Sequence, residues 1–177
     1  TALLIDEFSQ SKKIELLAFF RRCFYRIVPP VIVMVLVVMP FTFLIRRDFV
    51  AGIGTQIAAV MGFVTNFDEM MTGGSYEAQF IPHLFVHNWS LAVEVHYYLL
   101  WGLAIWFLAK YCKTAGQLRG SIFLLSSFGL LISFLSMFIG SLLGLSFSGL
   151  YFSTWTHIYP FFVGSILATL TGIKQMT

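Results

Sequence analysis

Charge is what this chain has least of. Only 11% of its 177 residues are Asp, Glu, Lys or Arg, against about 25% in ordinary soluble domains. Hydrophobic residues make up 58%, and the mean hydropathy is +0.85. That balance excludes an ordinary soluble domain and leaves an integral membrane protein in contact with the lipid bilayer. The formal charge of +3 therefore reports orientation in the membrane, and no nucleic-acid partner is expected. Cysteine is scarce too. Cys23 and Cys112 lie far apart with no CxxC pattern, which argues against a disulfide framework or a metal site. Internal repeats, low-complexity linkers and a signal-peptide pattern are also missing, so residues 1–177 read as part of one transmembrane domain. The chain opens at Thr1, and "TALLI" reads like the tail of an earlier span. The sequence is therefore expected to be a piece of a longer protein, with the rest of that polypeptide as its nearest partner.

What is there in quantity is long apolar runs. A span needs about 20 mostly apolar residues, and 27–45, 89–109, 121–143 and 151–173 qualify. The run 49–67 is weaker, broken by Gly52, Gly54, Thr55, Gln56 and Gly62. Residues 10–26 form a basic amphipathic lead-in, 68–88 an acidic loop and 110–120 a polar turn. If 49–67 crossed, five Lys and Arg residues would lie inside and six outside; if it dips in and returns, the split is nine to two. Positive charge concentrates on the inner side, so the second arrangement is preferred. Its glycines suit a segment buried against protein. The expected fold is an all-α polytopic bundle: four full spans plus one re-entrant segment, with Asp68, Glu69 and Glu77 outside. "GSLLG" (140–144) has the small-xxx-small spacing of close helix packing.

Within this apolar background "HNWSLAVEVHYYLLW" (87–101) is conspicuous. A carboxylate near the centre of a span costs roughly 2.5–3.5 kcal/mol on insertion scales, so Glu94 marks a functional site by default. At 100° per residue His87, Ser90, Glu94, Tyr98 and Trp101 share a stripe about 80° wide. Such a face must line a bundle interior or a wet cavity; the plainer reading is a polar packing seam. His96 falls on the opposite side. His83 and His87 have a metal-compatible spacing, but nothing nearby completes a ligand set, and no metal is expected. The Asn-Trp-Ser triplet at 88–90 opens a membrane helix and is set aside as a glycosylation site. In "FFRRCFYRIVPP" (19–30) Arg21, Arg22 and Arg26 read either as snorkelling anchors or as a phosphate clamp, since guanidinium groups bind phosphate through paired N–H donors. Arg22 and Arg26, four apart, share a helix face. His157 sits in the last run beside Ser153, Thr154 and Thr156, where a structural and a functional role are equally open.

The block His87, Trp89, Ser90, Leu91, Glu94, Tyr98 and Leu99 resembles the H-x-W-S-L-x-x-E motif of the membrane-bound acyltransferase-3 family. Val95, His96 and Tyr97 differ from its common Glu-Gln-Phe. "RIVPP" resembles the basic lead-in to a family span, and "THIYPFFVGSILA" a later one, with His157 where Arg is usual. The R-x-x-R pair would need Arg at Cys23; here Arg22 stands one residue earlier. Within the family, residues 72–94 look most like the peptidoglycan O-acetyltransferases of Gram-positive bacteria.

The resemblance implies a bundle of about ten spans in the bacterial cell membrane. It passes an acetyl group from acetyl-coenzyme A to a hydroxyl of a cell-envelope glycan, the acceptor. It also implies a general-base histidine on an earlier span, in an R/K-x(10)-H pattern that none of the histidines here satisfies, so the fragment alone is expected to be inactive. On this reading Glu94, Ser90 and Tyr98 are catalytic, Arg22 and Arg26 bind the coenzyme, and His87, Trp89 and His157 line the substrate channel. The alternatives are a transporter or channel segment with an intramembrane Glu/His site and a non-catalytic membrane partner.

Overall fold

The computed structural model describes residues 1–45, 52–72 and 84–171. Among these residues every regular element is helical: α1 (Ala2–Ser11), α2 (Leu16–Ile45), α3 (Ile53–Met61), α4 (Thr65–Thr72), a 3-10 turn (Val86–Asn88), α5 (Trp89–Tyr111), α6 (Ala115–Leu142), α7 (Phe147–Tyr151), α8 (Thr154–His157) and α9 (Tyr159–Leu170).

Among the described residues three stretches are long and apolar enough to cross a membrane: Leu16–Thr42, Val86–Tyr111 and Ala115–Leu142. The first begins eleven residues before the expected span at 27. From Leu16 on, the basic lead-in is part of α2, which runs unbroken through Pro29, Pro30 and Pro40. Each proline removes one i→i−4 hydrogen bond, which membrane helices tolerate when neighbours satisfy the freed carbonyl. The expected span at 151–173 is absent as a single helix. α7, α8 and α9 divide it, and α9 has only 12 residues. Pro160, in the first turn of α9, starts a helix there readily but cannot sit inside one without cost. Just before it, Thr156 Oγ1 donates to the Leu150 and Ser153 carbonyls, replacing helix bonds with local ones.

The weak run behaves differently again. α3 has nine residues and α4 eight, each far short of span length. Between them Phe63 takes a left-handed φ of 54°. Residues 46–51 and 73–83, including Arg46, Arg47, Glu77 and His83, lie outside the described residues, as does Lys174.

Two apolar clusters hold the helices. Leu4, Ile5 and Phe8 of α1 meet Tyr97, Trp101 and Ile105 of α5 and Leu118 and Ile122 of α6. Ile27, Val31 and Val35 of α2 meet Ile53, Val60 and Phe85. α6 packs closely against α7 and α9. A Cβ at Gly129 would come 2.5 Å from the Phe162 ring of α9, and one at Gly140 2.6 Å from Leu150 of α7. Of the two glycines of "GSLLG" only Gly140 is in close contact, since Gly144 lies past the end of α6 at φ 70° with nothing within 4 Å. A capping box starts α6: Thr114 Oγ1 accepts from the Gln117 N–H, and the Gln117 side chain accepts from the Thr114 N–H.

Candidate functional site

α2 and α5 lie side by side, and their polar residues converge. Arg26 is about ten residues into α2, so at 1.5 Å per residue it lies roughly 15 Å along the axis from Leu16. Its guanidinium Nη2 donates to Glu94 Oε1 at 2.7 Å. Tyr98, one turn beyond Glu94 on α5, donates its hydroxyl to the same oxygen at 2.6 Å. Arg26 Nη2 also donates to the Tyr98 hydroxyl, and the guanidinium carbon stands 5.2 Å from the Tyr98 ring centroid. A cation, a carboxylate and a phenol thus share one oxygen and one nitrogen.

Arg26 and Glu94 line a groove of about 380 Å³ whose other walls, apart from Asn88, are apolar: Ile27, Pro30, Val31, Met34 and Leu91. Pro30 has no N–H, so the Arg26 carbonyl four residues earlier lacks its helical donor. The Glu94 side chain is 26% exposed and that of Arg26 64%. Both can therefore meet something larger than a water while remaining paired.

The structure divides the rest of the expected stripe. Ser90 is exposed, and its hydroxyl donates to the His87 carbonyl of its own turn at 3.3 Å rather than to Glu94. His87 is exposed on the 3-10 turn. Trp101 is buried against α1, its indole N–H donating to Thr1 Oγ1 at 2.8 Å. Arg22 points away from Arg26's partner and pairs with Glu7 of α1 at 3.0 Å. Trp89 and His157 do meet: their rings stand nearly perpendicular, with centroids 5.4 Å apart. Tyr151 packs against both, at 5.0 and 5.2 Å. His157 Nδ1 bonds the Thr156 hydroxyl at 3.1 Å.

A second polar group went unread in the sequence. His96 Nδ1 lies 3.2 Å from Thr154 Oγ1 of α8, and Asn66 Nδ2 of α4 donates to the same hydroxyl at 2.9 Å. Helical spacing puts His96 opposite Glu94, but it says nothing of what stands on that side. On a third side the Tyr97 hydroxyl bonds Ser165 of α9. α5 is therefore polar in three directions, and only one of them opens on the groove with paired charges. Among the described residues no three His, Cys, Asp or Glu side chains gather as a metal site.

The chain is similar to the O-acetyltransferase OatA of Staphylococcus aureus (strain NCTC 8325 / PS 47), 32% identical over 168 residues, covering 95% of this chain and 27% of the relative. The same values hold for the protein of that name in strain COL. A further protein of strain COL, provisionally named an O-acetyltransferase, is 30% identical over 170 residues, covering 96% of this chain and 28% of the relative. The chain thus spans about a quarter of the length of these relatives. No family model matches it, and no solved structure matches it.

Proposed function

From the likeness of 95% of this chain to staphylococcal O-acetyltransferases we propose that it belongs to their family and forms part of a cell-membrane enzyme that O-acetylates peptidoglycan, with acetyl-coenzyme A as donor. One observation carries the reading: an Arg–Glu–Tyr triad set well inside two span-length helices. Charged side chains at such depth are rare, pair with one another and mark substrate or proton pathways.

In the reaction, the acceptor hydroxyl oxygen attacks the thioester carbonyl carbon. A C–O bond forms, the C–S bond breaks, and the thiolate of the coenzyme leaves and is reprotonated. The acceptor's proton goes to a general base, which the family resemblance expects on an earlier span. Glu94 and Tyr98 hold the Arg26 guanidinium toward the groove, where it can stabilise negative charge on the donor. Without Glu94 that charge would be free to swing toward any anion. Trp89 and His157, in their aromatic cluster with Tyr151, supply a wall for the acceptor path.

The test is acetyl transfer by the intact protein in membrane vesicles, using acetyl-coenzyme A labelled in the acetyl group and a peptidoglycan fragment as acceptor. Label appearing on the glycan only with this donor supports the reading. Movement of a solute or ion that depends on Glu94, with no use of the coenzyme, would favour the transporter alternative, which the kinship with O-acetyltransferases disfavours.

A further inference from the structure

Tyr98 stands between two cavities. On its hydroxyl side lies the groove that holds the Arg26–Glu94 pair. Its ring forms part of the wall of a second cavity, of about 190 Å³, lined with Cys23 and Val28 of α2, Phe63, and Val95 and Leu99 of α5, among others. Ile27 lines both spaces. Apart from the Cys23 thiol and the Tyr98 hydroxyl, these side chains are hydrocarbon. The volume is below the roughly 300–1,000 Å³ of sites that hold drug-sized ligands. It suits a short apolar group and is far too small for a coenzyme.

Phe63 adds a second observation. It is one of two non-glycine residues with positive φ among the described residues, at 54°, and a bulky side chain in that conformation is an outlier. It closes the end of α3 as a left-handed cap, with the Phe63 N–H on the Val60 carbonyl at 3.1 Å and the Val64 N–H on the Ala59 carbonyl at 2.9 Å. Here it turns the chain between α3 and α4 and places an aromatic ring on the cavity wall.

We propose that this cavity receives the acyl group of the thioester donor and sets the length of acyl chain the enzyme transfers. The inference rests on the acetyl-transfer reading above and adds to it a specificity pocket. The acyl carbon tail lies among Val28, Phe63, Val95 and Leu99, while the carbonyl is presented at Tyr98, beside Arg26. Bond changes are those of the transfer already given: the acyl carbon exchanges its bond to sulfur for one to the acceptor oxygen. Leu99 and Val28 then decide how many methylenes fit, and a methylene in an apolar pocket is worth roughly 10- to 200-fold in discrimination.

Two measurements on the intact protein in open membrane fragments test this. In the first, N-ethylmaleimide alkylates Cys23, followed by peptide mass spectrometry, with coenzyme A or acetyl-coenzyme A present at equal concentration. Acetyl-coenzyme A should slow alkylation of Cys23 more than coenzyme A does and leave Cys112 unaffected. In the second, Leu99→Ala should raise the butyryl-to-acetyl ratio of kcat/KM by about tenfold or more, whereas Leu103→Ala, one turn further along α5, should not. Equal protection by the two coenzyme forms, a Cys23 that never reacts, or an unchanged ratio in a transferring Leu99→Ala protein would overturn the pocket and leave the acetyl-transfer reading standing. A parent protein that transfers no acetyl group would overturn both.

Discussion

Arg26 and Glu94 stand 68 positions apart in the chain and 2.7 Å apart in space. Helical spacing made Glu94 and Tyr98 legible as a pair, because residues four apart share a face whatever the tertiary structure. It could not supply Arg26, which that same rule grouped with Arg22. The two arginines in fact diverge, one to Glu7 and one to Glu94, since the helices packed beside α2 decide which face meets which carboxylate. Ser90 shows a different limit of helical spacing. It lies on the expected stripe, yet its hydroxyl is satisfied by its own turn. Hydrogen bonds to charged groups contribute about 1.5–3 kcal/mol, so Arg26→Gln should lower acetyl transfer by roughly ten- to a hundredfold in initial-rate assays. Arg26→Lys should recover only part of that, because an ammonium lacks the planar fork that can serve Glu94, Tyr98 and an anion together. Ser90→Ala, assayed beside them, should stay within about twofold of the parent, as expected for a surface hydroxyl outside the network. A Ser90→Ala loss as deep as that of Arg26→Gln would restore the serine to the site.

At the scale of elements, length and composition identified the three span-length helices, because burial in lipid demands long apolar runs. Boundaries failed where local chemistry opposed that rule. The basic stretch before residue 27 reads as separate from the span but from Leu16 on is continuous with it in α2, while Pro160 with its Ser and Thr neighbours divides what composition had joined. The contact of α6 with α9 depends on a missing side chain: at Gly129 a Cβ would meet the Phe162 ring at 2.5–2.8 Å. Overpacking of that kind costs roughly 1–3 kcal/mol. Gly129→Ala should therefore lower the midpoint of thermal unfolding in detergent, and adding Phe162→Leu should restore most of it. A midpoint unmoved by Gly129→Ala would mean that α6 and α9 do not pack this closely.

For the molecule as a whole, the sequence spoke to orientation through its Lys and Arg, and the short lengths of α3 and α4 agree with a segment that does not cross. With Cys23 and Cys112 replaced, single cysteines at Glu77 and Gln117 report the two sides. An impermeant thiol reagent applied to intact cells should label the first and spare the second; labelling only the second would reverse the topology. The central claim, that the Arg26–Glu94–Tyr98 triad serves acetyl transfer rather than packing, is tested most directly by the Glu94→Gln protein. Gln keeps the size and most hydrogen bonds of Glu but removes the charge that pairs with Arg26. In the intact protein acetyl transfer from acetyl-coenzyme A should fall by about tenfold or more, the worth of a charged hydrogen bond, with membrane yield and thermal midpoint close to the parent's. Transfer equal to the parent's in that variant would contradict it and reduce the triad to a polar seam between two helices.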